Sequence, residues 1–246
     1  MELLTLIIVI TVFLCVFTLE VIAPASKNHC DKRWMLLASG ISLFQSITTI
    51  GAGIIFVETF KNNSLFRFNE LNVIMQGVSG FLLTSFVAYW WHRAMHKFDI
   101  LWRVFHQLHH SPRRIEALTS FYLHPFDGIA ATFLNALCCY LILGLNAYGT
   151  ALSLILAALY NIFIHADLKT PRWLGFVIQR PEMHRVHHKY MHHAQNYGLS
   201  VWDFMFGTFN NPKEYVQDVG FDEIRENRIY DMLRTRDVYK IKGAEG

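Results

Sequence analysis

Long apolar runs alternate with short polar segments over the first two thirds of the chain. Residues 3–22 form a nearly continuous apolar run, and residues 34–57 contain no charged side chain. A third run covers 71–91 and ends in three aromatic residues, a side-chain type that gathers at membrane–water interfaces. Because about 20 apolar residues in a helix cross the hydrocarbon core of a bilayer, each run predicts a membrane-spanning helix.

The fourth apolar run, 129–164, is too long for one span. It is interrupted near 144–149, where two glycines and an asparagine favour a break in a helix. We therefore expect a helical hairpin that crosses the membrane and returns, or that enters it partway. The pattern as a whole predicts an all-α integral membrane bundle of four or five hydrophobic helices under a histidine-rich helical cap.

Composition agrees with a membrane protein of one domain. The chain has 246 residues, of which 53% are hydrophobic and 17% charged, and its mean hydropathy is +0.26. This length favours a single domain covering 1–246, in which 210–246 extends the cap and the charged stretch 222–242 is helical. The formal charge of +3 is small and its cations are spread along the chain, so nothing indicates a nucleic-acid partner.

The distribution of lysine and arginine predicts which side of the membrane carries the cap. Three cations lie in 23–33 and two in 61–70, whereas 92–128 holds five and the chain after 164 holds twelve. Since cytoplasmic loops carry the excess of Lys and Arg, the segments after the third and fourth runs are predicted to be cytoplasmic.

Histidines are concentrated in those same segments. Twelve of the thirteen lie between 92 and 193, and eight of them form three clusters at helical spacing. Residues at i, i+3 and i+4 share one face of a helix, so each cluster can direct two or three imidazoles to a common point. One metal ion uses about three or four protein ligands, so eight imidazoles argue for two ions. The three clusters consist of His92 and His96; of His106, His109 and His110; and of His184, His187 and His188.

His165 is predicted to join these clusters because it ends the fourth apolar run at the level of the cap. Imidazole binds iron, zinc and copper alike, so the residues by themselves leave the metal open. A zinc protease would carry H-E-x-x-H, which no cluster has. A zinc-dependent membrane hydrolase and a non-catalytic metal-binding or transport protein stay as alternatives, although transport would place ligands within the spans.

Several further residues are candidates for contacts with the ligating imidazoles. Ligating histidines donate their second ring N–H to an acceptor, and Glu182 and Asp203 could supply that acceptor, or could instead cap helices or form surface ion pairs. His192 and His193 follow the third cluster and are either surface residues or supporting ones.

These motifs together resemble the fatty acid hydroxylase/sterol desaturase superfamily over about 89–209. The residues that carry the resemblance are Trp91, His92, Arg93 and His96; Leu101, Trp102, His106, His109, His110 and Ser111; His124 and Pro125; Pro181, Glu182, His184, Arg185, His187 and His188; Asn196, Tyr197 and Gly198; and Trp202, Asp203, Phe206, Gly207 and Thr208.

The resemblance implies a membrane di-iron oxygenase that uses O2 to hydroxylate or desaturate a C–H bond of a sterol, sphingolipid, fatty acyl chain or alkylglycerol. It implies that the eight clustered histidines are metal ligands with His165 as a ninth, two iron ions being held, although zinc can replace iron in purified material. His124 matches a recurrent family element and is a candidate catalytic residue. Some members have a histidine where this chain has Asn161, which could serve as a hydrogen-bonding group beside the metals. The sequence contains no nucleotide, haem or iron–sulfur motif, so a separate electron donor (a reductase, ferredoxin or cytochrome) is expected.

Overall fold

The structure is a computed structural model that describes residues 2–26, 32–192 and 194–240. These residues form helices and connecting turns without a β-strand, and one isolated antiparallel bridge pairs Lys189 with Val219. The predicted all-α class is confirmed. The α-helices are α1 (Glu2–Ile22), α2 (Lys32–Phe60), α3 (Val73–Lys97), α4 (Asp99–Leu101), α5 (Pro125–Ala136), α6 (Ala147–His165), α7 (Pro181–His187), α8 (Ser200–Met205), α9 (Glu223–Glu226) and α10 (Ile229–Leu233).

Five helical stretches are long and apolar enough to cross a membrane. They are α1, α2, α3, α6 and the 18-residue stretch Pro125–Ile142, in which α5 continues as a π-helix over Leu137–Ile142. The number agrees with the predicted four or five spans, and it indicates a multi-pass membrane protein. One boundary differs from the expectation, because α3 continues six residues past Trp91 to Lys97 and so carries both His92 and His96 in its last turns.

The long fourth run is a hairpin, as its central break predicts. The π-helix ends at Ile142 and Gly144 adopts a left-handed φ of +64° beside the carbonyl oxygen of Phe66. Asn146 then begins α6, since its side chain accepts hydrogen bonds from the backbone N–H groups of Tyr148 and Gly149 at 3.0 Å each. A residue with φ in this region changes the chain direction with little strain only when it is glycine.

The five spans alternate in direction. α3 and α6 start together, because Gln76 near the start of α3 accepts a hydrogen bond from the backbone N–H of Asn146 at 3.0 Å. α2 and α5 run parallel to each other and opposite to α3 and α6. Trp34 packs on Tyr122 at one end of this pair, and Phe60 packs on Phe133 toward the other. α1, α3 and α6 therefore finish, and α2 and α5 begin, at one end of the bundle, which we call the histidine end.

The chain beyond α6 folds onto the histidine end. A buried cluster there joins residues of α2 and the loops to the C-terminal segment; its members are Trp34, Ala38, Leu108, Leu118, Tyr122, Phe221, Met232 and Val238. The predicted helix over 222–242 is wrong in its extent. Only the short helices α9 and α10 form, and the described chain after Leu233 continues in turns to Lys240. Its apolar residues lack the continuous face of one helix and instead fill separate gaps in the cap.

Candidate metal centre

All nine predicted ligands meet at the histidine end, where they form two groups. Within each group one ring nitrogen from every histidine lies within 4.8 Å of the others. The five-histidine group consists of His92, His96, His106, His110 and His187. The four-histidine group consists of His109, His165, His184 and His188, all of them buried.

The two H-x-x-H-H motifs each divide between the groups. In both motifs the residues at i and i+4 join one group and the residue at i+3 joins the other. His106 and His110 thus lie with His187, whereas His184 and His188 lie with His109. Each motif thus directs two imidazoles to a common point, as the spacing predicts, and its third imidazole belongs to the other group. The division supports the expectation of two ions more directly, because each motif contributes to both groups.

The helices that carry these motifs differ in kind. α7 begins at Pro181, a residue suited to the first turn of a helix, and presents His184 and His187 about one turn apart. The predicted helix over His106 is a π-helix, Trp102–His106, in which the backbone N–H of Gln107 reaches the carbonyl of Trp102 at 2.8 Å. The following four residues form turns rather than the predicted continuation of a helix.

The groups adjoin each other. The rings of His110 and His188, one from each group, stack with centroids 4.0 Å apart and planes 11° apart. Two ions held by these groups would therefore be neighbours inside one buried compartment.

Hydrogen bonds fix the orientation of the imidazoles. The Nδ1–H of His92 donates to the carbonyl of Tyr197 at 2.7 Å, and that of His187 donates to the carbonyl of Gln195 at 2.8 Å. In the four-histidine group, His165 donates in the same way to the carbonyl of Asn161 at 2.8 Å. Because a carbonyl oxygen only accepts, Nδ1 must carry the proton in each of these rings. Nε2 of the neutral ring then holds a lone pair that faces the group.

Two close nitrogen pairs indicate that the groups suit metal ions. Nε2 of His92 lies 2.8 Å from Nε2 of His106, whose Nδ1 lies 3.1 Å from an Asp127 oxygen. Nε2 of His109 lies 3.2 Å from Nε2 of His165. Lone pairs facing at this distance repel each other unless a cation lies between them. Two nitrogens bound at right angles to one ion, each about 2.1 Å away, stand about 3 Å apart, so the spacing fits a shared metal.

Burial favours the metal-binding form of these side chains. It lowers the pKa of His106 to about 3, because the charged imidazolium would lose its hydration. The same desolvation, reinforced by neighbouring imidazoles, holds the pKa well below the usual value at five other positions. These are His109, His110, His184, His187 and His188. A neutral imidazole is the form that binds a metal, so no proton has to be displaced from Nε2 near neutral pH.

Asp127 is a supporting residue that the sequence reasoning missed. Its carboxylate accepts a hydrogen bond from Nδ1–H of His106 at 3.1 Å, and both side chains are buried. Asp127 lies in the first turn of α5, three residues after His124, and this closeness to a predicted site residue is the signal in the sequence that points to it. Among the described residues it is the one carboxylate that contacts an imidazole of the two groups. A carboxylate partner orients a ligating imidazole and makes it more basic.

Replacing Asp127 by alanine is expected to weaken metal binding by the five-histidine group about 10- to 100-fold, the usual cost of losing such a partner. Asp127→Asn keeps an acceptor oxygen but removes the negative charge, so it should fall between alanine and wild type. Competition with a chelator measures the metal affinity. Equal affinities in all three proteins would mean that the contact has no effect on the metal.

Glu182 and Asp203 support the site from further away. Glu182 accepts hydrogen bonds from the backbone N–H and the hydroxyl of Thr170 at 2.7 and 2.8 Å, because it points back from the first turn of α7. Asp203, fully buried, accepts from the backbone N–H groups of Tyr197 and Gly198 at 2.8 and 3.1 Å. Neither contacts an imidazole of the two groups, which corrects the expectation of direct contact. Asp203 acts indirectly: it holds the loop that contains Tyr197, whose carbonyl accepts the hydrogen bond from His92.

The other predicted residues lie outside the two groups. His124 begins α5: its Nδ1 accepts from the backbone N–H of Phe126 at 3.2 Å, and its Nε2–H donates to the carbonyl of Leu233 at 3.3 Å. With both ring nitrogens engaged, this geometry favours a structural role over the expected catalytic one.

The remaining candidates have contacts of a different kind. The Asn161 side chain donates to the carbonyl of Ser120 at 2.9 Å, while its backbone carbonyl is what orients His165. His192 is exposed and lies 3.3 Å from the side-chain oxygen of Gln195. His193 lies outside the described residues.

Comparison with known proteins places the same region in a family. The family model described as fatty acid hydroxylase matches residues 77–208, which is 132 of the 246 residues and includes all nine clustered histidines. No solved structure matches the chain.

Three relatives illustrate the range of similar proteins. The chain is 32% identical to the ornithine lipid hydroxylase of Rhizobium tropici over 56% of this chain and 42% of that protein. It is 25% identical to a sphingolipid C4-hydroxylase of Schizosaccharomyces pombe (59% and 52%) and 27% identical to the lathosterol oxidase of Homo sapiens (61% and 50%). The chain spans about half the length of these relatives. The match of the family model over more than half of the sequence shows that this chain belongs to the fatty acid hydroxylase family.

Proposed function

We propose that this protein is a membrane-bound di-iron oxygenase that hydroxylates or desaturates a C–H bond of a lipid. The observation that carries the proposal is the pair of adjoining all-imidazole groups, with seven of their nine histidines buried, at one end of five apolar helices. The relatives support the class of reaction, since their names describe a lipid hydroxylase, a sphingolipid hydroxylase and a sterol oxidase.

The nine histidines of the two groups would hold two iron ions. Iron bound there would supply the oxidation: with O2, two electrons and two protons, hydroxylation places one oxygen atom in the lipid and the other in water. Every ligand is neutral, so the ions would keep their positive charge. The electrons come from a separate donor, a reductase, ferredoxin or cytochrome. Zinc also binds imidazole and can occupy the same positions in purified protein.

The chain itself excludes water and holds the ligands in place. His110, Arg185 and His187 are fully buried, so the compartment is closed from the cap side. Arg185 lies next to His184 and donates to the carbonyl of Val216 at 2.8 Å, which attaches α7 to the C-terminal segment. The apolar helices would bring a lipid chain to the compartment from the membrane. A preformed, water-excluded ligand set is what a cofactor enzyme requires from its protein.

Transport and hydrolysis are less well supported. A transporter needs ligands along its spans, whereas here the ligands lie at the helix ends and on the cap. A hydrolase would use zinc to activate water and would need neither O2 nor electrons.

The test is lipid analysis under heavy-isotope O2. Membranes containing iron-supplied protein and an electron donor should yield a lipid that has gained one labelled oxygen atom, or one that has lost two hydrogens. His184→Ala membranes, which lack one ligand of the four-histidine group, should yield neither. Conversion that proceeds equally under nitrogen would reject the oxygenase and favour the hydrolase.

The histidine end is proposed to face the cytoplasm, as the distribution of lysine and arginine predicts. A reporter fused to the C-terminus should then report the cytoplasm. A cysteine introduced at Asn62, in the loop at the opposite end, should react with an impermeant reagent only from the other side. The reverse labelling would invert the proposed orientation while leaving the metal groups on one side.

A further inference from the structure

Helix α8 has its polar and apolar faces reversed relative to a helix on a water-facing surface. Its polar residues Ser200 and Asp203 are 3% and 0% exposed. Its apolar residues Val201, Phe204 and Met205 are 46%, 76% and 61% exposed, and their spacing places them on one face. A helix beside water shows the opposite arrangement, so this face suits an apolar surrounding.

A neighbouring turn of 3₁₀ helix, Arg172–Phe176, extends the apolar face together with Val177. Trp173, Phe176 and Val177 are 66%, 65% and 71% exposed. The turn is fixed to α8 because the Ser200 hydroxyl donates to the carbonyl of Gly175 at 2.8 Å. Phe209 joins the two, with its ring centroid 5.9 Å from Phe176 and 6.1 Å from Phe204. We call the exposed set Trp173, Phe176, Val177, Val201, Phe204 and Met205 the α8 patch.

The α8 patch lies at the depth of a membrane span. The indole N–H of Trp202 donates to the hydroxyl of Ser85 at 3.0 Å, and its ring packs on Phe86 at 5.2 Å. Both partners belong to α3, with Ser85 twelve residues before its end at Lys97. At about 1.5 Å per residue, Ser85 lies about 18 Å along the span from Lys97 and about 10 Å from His92. α8 therefore packs beside the part of α3 that crosses the membrane.

The neighbouring surface of α3 is itself apolar and exposed. Leu82 is 43% exposed and Trp90 is 42% exposed, on either side of the contact with α8. The α8 patch is thus continuous with a surface that faces lipid. Two exposed cations, Lys169 and Arg172, precede Trp173, and aromatic and basic side chains together are typical of the boundary between acyl chains and headgroups.

We infer that the α8 patch is inserted into the bilayer, at the boundary between headgroups and acyl chains, as a membrane-embedded part of the cap that does not span. Its occupant is lipid, because the patch continues the lipid-facing surface of α3 at the same depth. α8 begins three residues after Tyr197, whose carbonyl orients His92. Insertion therefore places acyl chains beside the loop that supports the five-histidine group.

Spin labels on the full-length protein in phospholipid nanodiscs test this inference without requiring metal or turnover. Cys15→Ser and Cys30→Ser remove two native thiols, while Cys138 and Cys139 are buried. Labels are then placed singly by Phe204→Cys and Phe176→Cys. Ile54→Cys, 64% exposed on α2, is the lipid-facing control, and Glu223→Cys, with a side chain 75% exposed, is the aqueous control.

The measured quantity is the ratio of relaxation by O2, which concentrates in the bilayer, to relaxation by a water-soluble nickel chelate. Labels at 204 and 176 should give ratios several-fold above that at 223 and closer to that at 54. Ratios closer to that at 223 would overturn the inference and would make the patch a water-facing surface suited to a protein partner. The result is independent of the proposed oxygenase activity, so the two proposals can fail separately.

Discussion

Replacing His109 by alanine is expected to reduce turnover to below about a tenth of the wild-type rate, because residues that act as one unit lose their function together. Nε2 of His109 lies 3.2 Å from Nε2 of His165 within the four-histidine group, and only three imidazoles would remain there. The same protein should lose metal from that group. The metal content measured by mass spectrometry should therefore fall from about two ions per chain toward one.

The losses of activity caused by removing two ligands should not add. His187→Ala, which removes a ligand of the other group, should cost little further activity when added to His109→Ala, because the first change already abolishes the function of the unit. The matched control is His192→Ala, since His192 is exposed and belongs to neither group. It should keep wild-type metal content and turnover. A His109→Ala protein that retains two ions and most of its activity would contradict the ligand assignment.

Replacing Gly220 by alanine is expected to destabilise the protein by more than about 4 kcal/mol, the range of the most damaging single substitutions. Gly220 has a φ of +79°, and a Cβ there would lie 2.0 Å from the carbonyl oxygen of Pro112. The obstruction is backbone, so it cannot move aside as a side chain could.

The position of Gly220 explains why metal should be lost as well. Its backbone N–H donates to the carbonyl of His188 at 3.0 Å, and the next N–H, of Phe221, donates to the carbonyl of Ser111 at 3.2 Å. This segment therefore joins the ends of both H-x-x-H-H motifs. Displacing this segment would move the two motifs apart. Because each group takes histidines from both motifs, both groups would lose their arrangement.

Gly207 offers the matched control. Its φ is +74°, but no heavy atom of the described chain lies within 4 Å of a Cβ built there. Gly207→Ala should therefore cost only the strain of the left-handed backbone, about 1–2 kcal/mol. Thermal unfolding and metal content measure both variants in detergent. Similar losses in the two proteins would mean that backbone strain alone, rather than the contact with Pro112, sets the effect.

Much of the fold follows from hydrophobicity. The three apolar runs and the broken fourth run predict the five spans, since a helix that crosses the hydrocarbon core needs about 20 predominantly apolar residues. The break at Gly144 and Asn146 is readable because both residue types have strong conformational preferences. The C-terminal cap was less predictable, as its short helices are held by separate packing contacts rather than by one periodic face.

Residue type and spacing predict a candidate metal site, because so many imidazoles at helical spacing have few other uses. In the structure all nine predicted histidines meet in two groups that could hold metal ions. How these nine histidines divide between the two groups depends on the fold. Spacing along one helix places His184, His187 and His188 near each other. Which group each ring joins depends on how the segments that carry the other histidines pack against it. The contacts from Asp127 and from the carbonyls of Tyr197 and Gln195 were decided in the same way. Such partners are distant in sequence, and a backbone carbonyl leaves no trace in residue type, so only the folded chain could specify them.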